Sequence, residues 1–365
     1  MLQNNSTQLS NKQLLSKLIL PLLLVVLIIV LKRFPLLIED YYSTTIYIKI
    51  SNCLRILIGW SKISLGDILY AIIGLQILIW FIKIVWLLFK KQTSWYDFRK
   101  GIVVIIKKLL WLYIVFNFLW GLNYNRLGIA YQLHIEPKNY SKVEVENLVC
   151  DLVDKVNESR RKIGRDSLPV FSYQQIFKVA DSAYDIATKQ YPFLKHQYSS
   201  AKRSLYTGIS HYVGFTGYYN PFSGEAQVST DLPNILLPYI STHEIAHQLG
   251  YASEAEANFV GYLVGSKSDN IYMNYSVYMD LYKYAATELF LKDFATSHGW
   301  ELDSLVRKDY RDIRKFFNKK NNNLAPYMSG LYNQYLLANQ QIRGIESYND
   351  VIGFLIAYKK KYGKI

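Results

Sequence analysis

Residues 241–258 read STHEIAHQLGYASEAEAN, and they begin with the pattern His-Glu-x-x-His, with histidines at 243 and 247. Positions four apart lie on one face of an α-helix, so the imidazoles of His243 and His247 can converge on a single metal ion. Glu244 lies beside the first histidine, where a carboxylate can take a proton from a metal-bound water. The pattern predicts a Zn²⁺ site on a helix, with Glu244 as the catalytic general base.

A zinc site of this kind needs a third protein ligand, and two glutamates follow the motif closely. Ser253 and Glu256 have the spacing of a capping box, which would give Glu256 a structural role and leave Glu254 free to bind the metal. Glu256 stays open as the alternative ligand. The predicted zinc ligands are His243, His247 and Glu254.

Residues farther from the motif suggest supporting roles. Asn258 lies one helical turn after Glu254 and is expected to orient a ligand histidine. The strand predicted at 225–229 is expected to be a sheet edge that pairs with extended substrate. Tyr348 and Arg343 are candidates for stabilising an oxyanion, and His211 for lining the cleft.

The apolar residues, 51% of the chain, concentrate in its first third. Three runs there are long enough to span a bilayer, at about 14–31, 68–89 and 102–122, although an interfacial helix is the alternative for the third. The lipid bilayer is therefore a predicted partner. We expect a membrane region over 1–124 and a separate extracytoplasmic domain over 125–365.

The basic residues near the predicted spans bear on orientation. Four of them, Lys90, Lys91, Arg99 and Lys100, flank the second and third runs, so the positive-inside rule places that loop in the cytoplasm and the domain after the third span outside. Five basic residues in the loop 32–66 oppose this orientation. The formal charge of +14 fits contact with anionic lipid headgroups, and no nucleic-acid-binding module is recognisable, so nucleic acid is not an expected partner.

The composition after residue 125 is that of a mainly α-helical domain with a small sheet. Gly, Tyr, Thr, Ser and Asn in short alternating runs predict strands and turns over 204–230. Pro238 and Gly250 suit the beginning and the end of the helix that carries the motif. Helices are predicted at 141–163, 173–190, 234–249, 253–265, 274–296, 303–319, 326–341 and 347–362.

Three stretches together resemble a known bacterial membrane family: HEIAHQLGYASEAEANF at 243–259, YNPFSGEA at 219–226 and WGLNY at 120–124. That family is catalogued as a domain of unknown function and is grouped with the gluzincin-like HExxH metallopeptidases. The resemblance implies three N-terminal transmembrane helices in the bacterial inner membrane, followed by a zincin-like α+β domain that binds zinc. The pattern E-x-x-A-N at 254–258 also resembles a zincin helix whose first glutamate binds zinc. Six residues separate His247 from this glutamate, fewer than in most gluzincins.

These features predict a membrane-anchored zinc metallopeptidase that hydrolyses peptide or protein substrates. The alternative is a catalytically inactive zinc-binding sensor or envelope assembly protein, and the same chemistry also suits a lipid- or cell-wall-directed hydrolase. An intramembrane protease is disfavoured, because residues 232–265 contain no uninterrupted apolar run of about 18 residues. No sequence feature indicates the substrate or the oligomeric state.

Overall fold

The N-terminal part of the protein contains three long apolar helices and a short helical stretch between the first two. The computed structural model describes residues 11–90, 94–137, 140–164, 168–292, 301–320 and 322–365. The first five helices are α1 (Asn11–Leu31), α2 (Pro35–Leu37), α3 (Tyr47–Ile58), α4 (Leu65–Phe89) and α5 (Trp95–Leu119). A π-helical stretch at Ile38–Ile46 joins α2 to α3.

Helices α1, α4 and α5 are long and apolar enough to cross a membrane, which confirms three candidate membrane-spanning helices near the N-terminus. The third was predicted at 102–122 and lies at Trp95–Leu119 instead. Ser94 and Asp97 form a capping box that begins the helix earlier than its apolar run, and the backbone turns away at Trp120. The second helix also begins before its apolar run, because Ser64 accepts a hydrogen bond from the Asp67 N–H.

Helices α1 and α5 pack against each other, whereas the apolar part of α4 has none of its residues buried. Ile77 and Ile79, near the middle of α4, are both more than half exposed. In a bilayer these faces contact lipid. Over the described residues, α4 therefore stands apart from the α1–α5 pair.

Ten α-helices follow among the described residues, and most match the predicted ones closely. Residues 293–296 of the helix predicted at 274–296 lie outside the described residues. The helices are α6 (Gly128–Leu133), α7 (Lys142–Ile163), α8 (Tyr173–Thr188), α9 (Ser210–Val213), α10 (Leu237–Gln248), α11 (Glu254–Gly265), α12 (Ile271–Lys292), α13 (Ser304–Lys320), α14 (Ala325–Ala338) and α15 (Val351–Tyr362). Capping boxes begin α7 and α8, and one apolar core joins α7, α8, α10, α11, α12 and α15.

A three-stranded sheet lies beside α10, with β1 (Ala201–Arg203), β2 (Gly217–Asn220) and β3 (Glu225–Val228). Its order is β1-β3-β2, with β3 parallel to β1 and antiparallel to β2. The expectation that 225–229 is an edge strand is therefore wrong, because β3 pairs on both sides. The edge strand next to α10 is β2.

A buried polar cluster joins this sheet to the first turn of α4. Glu225, on β3, accepts hydrogen bonds from the backbone N–H groups of Leu65 at 3.1 Å and Gly66 at 2.5 Å. The Lys202 ammonium lies 2.6 Å from the same carboxylate, and both side chains are almost fully buried. Asp67 accepts a hydrogen bond from the Leu205 N–H at 2.6 Å. These contacts fasten the N-terminus of α4 to the sheet. The negative charges of Glu225 and Asp67 are favourable at that position, because the N-terminus of a helix carries a partial positive charge.

The C-terminal end of the motif helix is held by residues from the N-terminal part of the chain. Tyr47 and Ser51 of α3 each donate to the carbonyl of Gln248 at 3.0 Å, and Trp120 donates to the carbonyl of His247 at 3.2 Å. The last carbonyls of a helix lack partners within the helix, and these side chains supply them. The division of the chain into a membrane region and a separate domain at residue 124 stays a prediction. Buried hydrogen bonds connect residues before this boundary with residues after it.

Candidate metal centre

The two motif histidines lie on α10, which is buried along its whole length. Pro238 stands in its first turn, and Gly250 follows its end with a φ of +85°, as the sequence predicted. A Cβ atom at Gly250 would lie 2.9 Å from the Tyr47 ring, so that position also requires a glycine for space. The chain then turns into α11, whose first residue is Glu254.

This turn brings Glu254 to the two histidines. Its Oε2 atom lies 3.2 Å from His243 Nε2 and 3.5 Å from His247 Nε2, and the potential ligand atoms of all three residues lie within 4.8 Å of one another. Zinc bonds of about 2.0–2.1 Å in a tetrahedral arrangement separate neighbouring ligand atoms by about 3.3 Å. The spacing and the donor types of this group fit one zinc ion.

Hydrogen bonds orient two of these three side chains. His247 Nδ1 lies 2.7 Å from the carbonyl of Tyr251, so that nitrogen is protonated and Nε2 is left for a metal. Tyr332 donates to Glu254 Oε1 at 2.7 Å. Glu254 Oε2, the atom nearest both histidines, is buried and accepts no hydrogen bond among the described residues. Such an unpaired buried oxygen calls for a cation.

Charges within the group depend on one another. Burial disfavours ionisation of Glu254, but the close approach of His243 and His247 to its carboxylate outweighs this and lowers the pKa of Glu254. Burial likewise lowers the pKa of His247, and the contact with Glu254 more than reverses this, so the pKa of His247 is raised overall. The site therefore favours a carboxylate compensated by positive charge, which a metal ion supplies as well as a proton does.

Glu244 lies beside the ligand group and lines the same cleft. Burial raises its pKa to about 7, although the nearby histidines counteract the rise. A Cβ atom at Gly217 of β2 would lie 2.5 Å from Glu244 Oε1, so the edge strand passes directly over this carboxylate. A carboxylate with a pKa near neutrality is suited to accept and return a proton.

Glu256, the alternative ligand, points away from the histidines. Its Oε1 accepts a hydrogen bond from the Ile129 N–H at 2.8 Å, at the beginning of α6. Burial raises the pKa of Glu256 to about 7, partly offset by Arg126. The expected capping box is wrong, because Ser253 forms no side-chain cap within the described residues and Glu256 caps a different helix.

The other residues singled out by the sequence fall in several places. Asn258 donates to the carbonyl of Tyr348 at 3.3 Å. It was expected to orient a ligand histidine, and it holds the backbone of Tyr348 instead. The Tyr348 ring stacks on His243, with centroids 6.3 Å apart. Arg343 pairs with Asp350 outside the cleft. The side chain of His211 lies outside the described residues.

A cleft of about 980 Å³ opens onto the group. Aromatic side chains dominate its lining and come from α4 and α5 as well as from the C-terminal helices. Examples are Tyr70, Phe116, Trp120, Tyr332, Tyr335 and Tyr348. Sequence reasoning missed the roles of Trp120 and Tyr332, because 7 tryptophans and 32 tyrosines occur in the chain and no local pattern separates these two from the others.

The structure thus defines a mainly helical protein with three candidate membrane spans and a buried His-His-Glu group facing a cleft. Residues 42–356 match the family described as "Protein of unknown function (DUF3810)", and the chain belongs to that family. No curated protein and no solved structure matches it. The match confirms the expected membership of a family of unknown function.

Proposed function

We propose that this protein is a membrane-anchored zinc metallopeptidase with a zincin-like catalytic domain. The observation that carries the proposal is the convergence of His243, His247 and Glu254, with Glu244 beside them at the bottom of an open cleft. Two histidines and a glutamate are the ligand set of well-known zinc peptidases. Zinc bound there would act as a Lewis acid and lower the pKa of a water in its open coordination position.

The chain's own residues supply the rest of the chemistry. Glu244 accepts a proton from the attacking water and delivers it to the leaving amine, which its near-neutral pKa suits. The ring of Tyr348 lies next to His243 and the residue lines the cleft, so its hydroxyl is a candidate donor to the substrate carbonyl. The free edge of β2, which carries Gly217, offers backbone groups to an extended peptide next to Glu244.

We place the catalytic cleft outside the cytoplasm, at the surface of the bacterial inner membrane. Four basic residues lie between the apolar parts of α4 and α5, namely Lys90, Lys91, Arg99 and Lys100, the last two in the first turns of α5. The positive-inside rule assigns this end of both helices to the cytoplasm. The first turn of α4 and the end of α5, next to the cleft, then lie on the opposite side.

An inactive zinc-binding sensor or envelope assembly protein is the alternative function. A structural zinc site is closed by four protein ligands. Among the described residues only three potential ligands of the His, Cys, Asp and Glu types converge, and they line an open cleft. This arrangement favours the enzyme.

The test compares the wild-type protein with Glu244→Gln, both reconstituted in liposomes and loaded with zinc. We expect about one zinc per chain in both, and loss of peptide hydrolysis by about a hundredfold or more in the variant. Metal content is measured by mass spectrometry, and hydrolysis with a peptide library. Equal hydrolysis by both proteins would contradict the proposal. It would also be contradicted if the zinc-loaded wild-type protein cleaved no peptide at all, whether free or anchored by an apolar helix.

A further inference from the structure

The cleft extends from the metal centre to two of the membrane-spanning helices. Tyr70, in the second turn of α4, and Phe116, one turn before the end of α5, both line it. Helix α4 has 25 residues and is therefore longer than the roughly 30 Å hydrocarbon core of a bilayer. Its second turn then lies near the membrane boundary. The cleft opens at the level where lipid headgroups meet hydrocarbon.

The two spanning helices contact the lining of the cleft through different side chains. Tyr70 stacks on Tyr218 of β2, with ring centroids 6.5 Å apart. From α5, Phe116 contacts Trp120 and Trp120 contacts His247, with centroids 6.1 Å apart in each pair. Two ring-to-ring steps thus lead from a spanning helix to a predicted metal ligand. An extended polypeptide covers this distance with about four residues.

Helix α4 leaves its apolar surface free to contact another apolar helix. The apolar part of α4 is unburied over the described residues, whereas α5 packs against α1. Glu225 and Asp67 hold the first turn of α4 at the β2 side of the cleft, so that helix has a defined position although its apolar part is unburied among the described residues. An apolar helix of another protein can therefore pack against the unburied face of α4 without displacing contacts among the described residues.

We propose that the substrate is a polypeptide anchored in the same bilayer by an apolar helix. The helix packs against the unburied face of α4, and the adjoining extended segment enters the cleft between Tyr70 and Phe116. This inference rests on the proposed peptidase function. Water adds across a peptide C–N bond about four residues from the membrane boundary, giving a carboxylate and an amine without any co-reactant. Aromatic side chains suit this interfacial position.

The first experiment measures cleavage by the full-length zinc-loaded protein in liposomes. The probe is an extended segment of about 12 residues joined to an apolar helix of about 20 residues, and the control is the same segment without the helix. We expect the anchored probe to be cut about four residues from its helix and at least about tenfold faster than the control. Equal or faster cleavage of the free segment would overturn the inference and leave the peptidase function intact. Equal cleavage of a probe anchored only by acyl chains would also overturn the requirement for a helix.

The second experiment locates the probe independently of turnover. In the Glu244→Gln variant, a photo-crosslinking residue replaces Ile77, which lies two helical turns from Tyr70 on the same face of α4. Ile79 is the matched control, because its exposed fraction of 57% is close to the 59% of Ile77 and it lies on the opposite face of α4. We expect the anchored probe to crosslink from position 77 and not from 79. Equal crosslinking from both positions, or crosslinking from 79 alone, would overturn the inference even if peptide hydrolysis is found.

Discussion

Tyr332 of α14 donates a hydrogen bond to Glu254 Oε1 at 2.7 Å, across 78 residues of sequence. This contact occupies one carboxylate oxygen and leaves the other toward His243 and His247, at 3.2 and 3.5 Å. Partners of this kind fix the orientation of a metal ligand. Helix α14 therefore takes part in the candidate metal centre, although Tyr332 lies 78 residues after Glu254.

Replacing Tyr332 by phenylalanine removes this hydrogen bond and keeps the ring. We expect zinc affinity to fall by about 10- to 100-fold, with the fold retained. The measurement is a competition titration against a chelator. Tyr335→Phe is the control, because its hydroxyl contacts Tyr124 and not a ligand. Equal affinities in wild type and Tyr332→Phe would show that the hydroxyl does not support the metal.

The two neighbouring glutamates provide a second prediction. Glu254→Ala should abolish zinc binding, because one of three protein ligands is lost. Glu256→Gln should retain zinc but lower the unfolding temperature, since it weakens the cap on the Ile129 N–H. Metal analysis and thermal unfolding in detergent distinguish these outcomes. Zinc loss in Glu256→Gln and not in Glu254→Ala would reverse the ligand assignment.

The edge strand β2 allows a test of Glu244 as the general base without substituting Glu244 itself. A Cβ atom at Gly217 would lie 2.5 Å from Glu244 Oε1 and 2.8 Å from the carbonyl of Gln227. Gly217→Ala should therefore displace the carboxylate and lower kcat about tenfold or more while zinc stays bound. Gly208→Ala is the control, because a Cβ there meets nothing within 4 Å. Full activity of Gly217→Ala would mean that Glu244 is not constrained by β2.

The buried pair of Lys202 and Glu225 predicts a strong effect on stability. Lys202→Met leaves the Glu225 carboxylate buried without its cation, which should cost about 3–5 kcal/mol. The exposed pair of Lys162 and Glu158 is the control, and Lys162→Met should cost about 0–1 kcal/mol. Unfolding by denaturant in detergent micelles measures both. Similar small losses in the two variants would show that the cluster at the first turn of α4 does not stabilise the fold.

Local patterns in the sequence were enough to place the three long apolar helices, eight of the helices that follow them and the central motif. The apolar runs predicted α1, α4 and α5, because hydrophobic length depends on local composition. The observed beginnings of α4 and α5 differ from the predicted ones, because Ser64 and Ser94 cap these helices and polar caps lie outside the apolar runs. Histidines four apart on one helix face were likewise predictable from spacing alone.

Contacts between distant segments decided the rest, because no short-range pattern encodes them. Strand order made β3 central and β2 the edge, and the turn after α10 directed Glu254 to the histidines and Glu256 to α6. The hydrogen bond from Tyr332 and the aromatic path through Trp120 depend on where α14 and α5 pack. Side-chain types and helical periodicity are local properties, whereas the partners of a buried polar group are set by the folded chain as a whole.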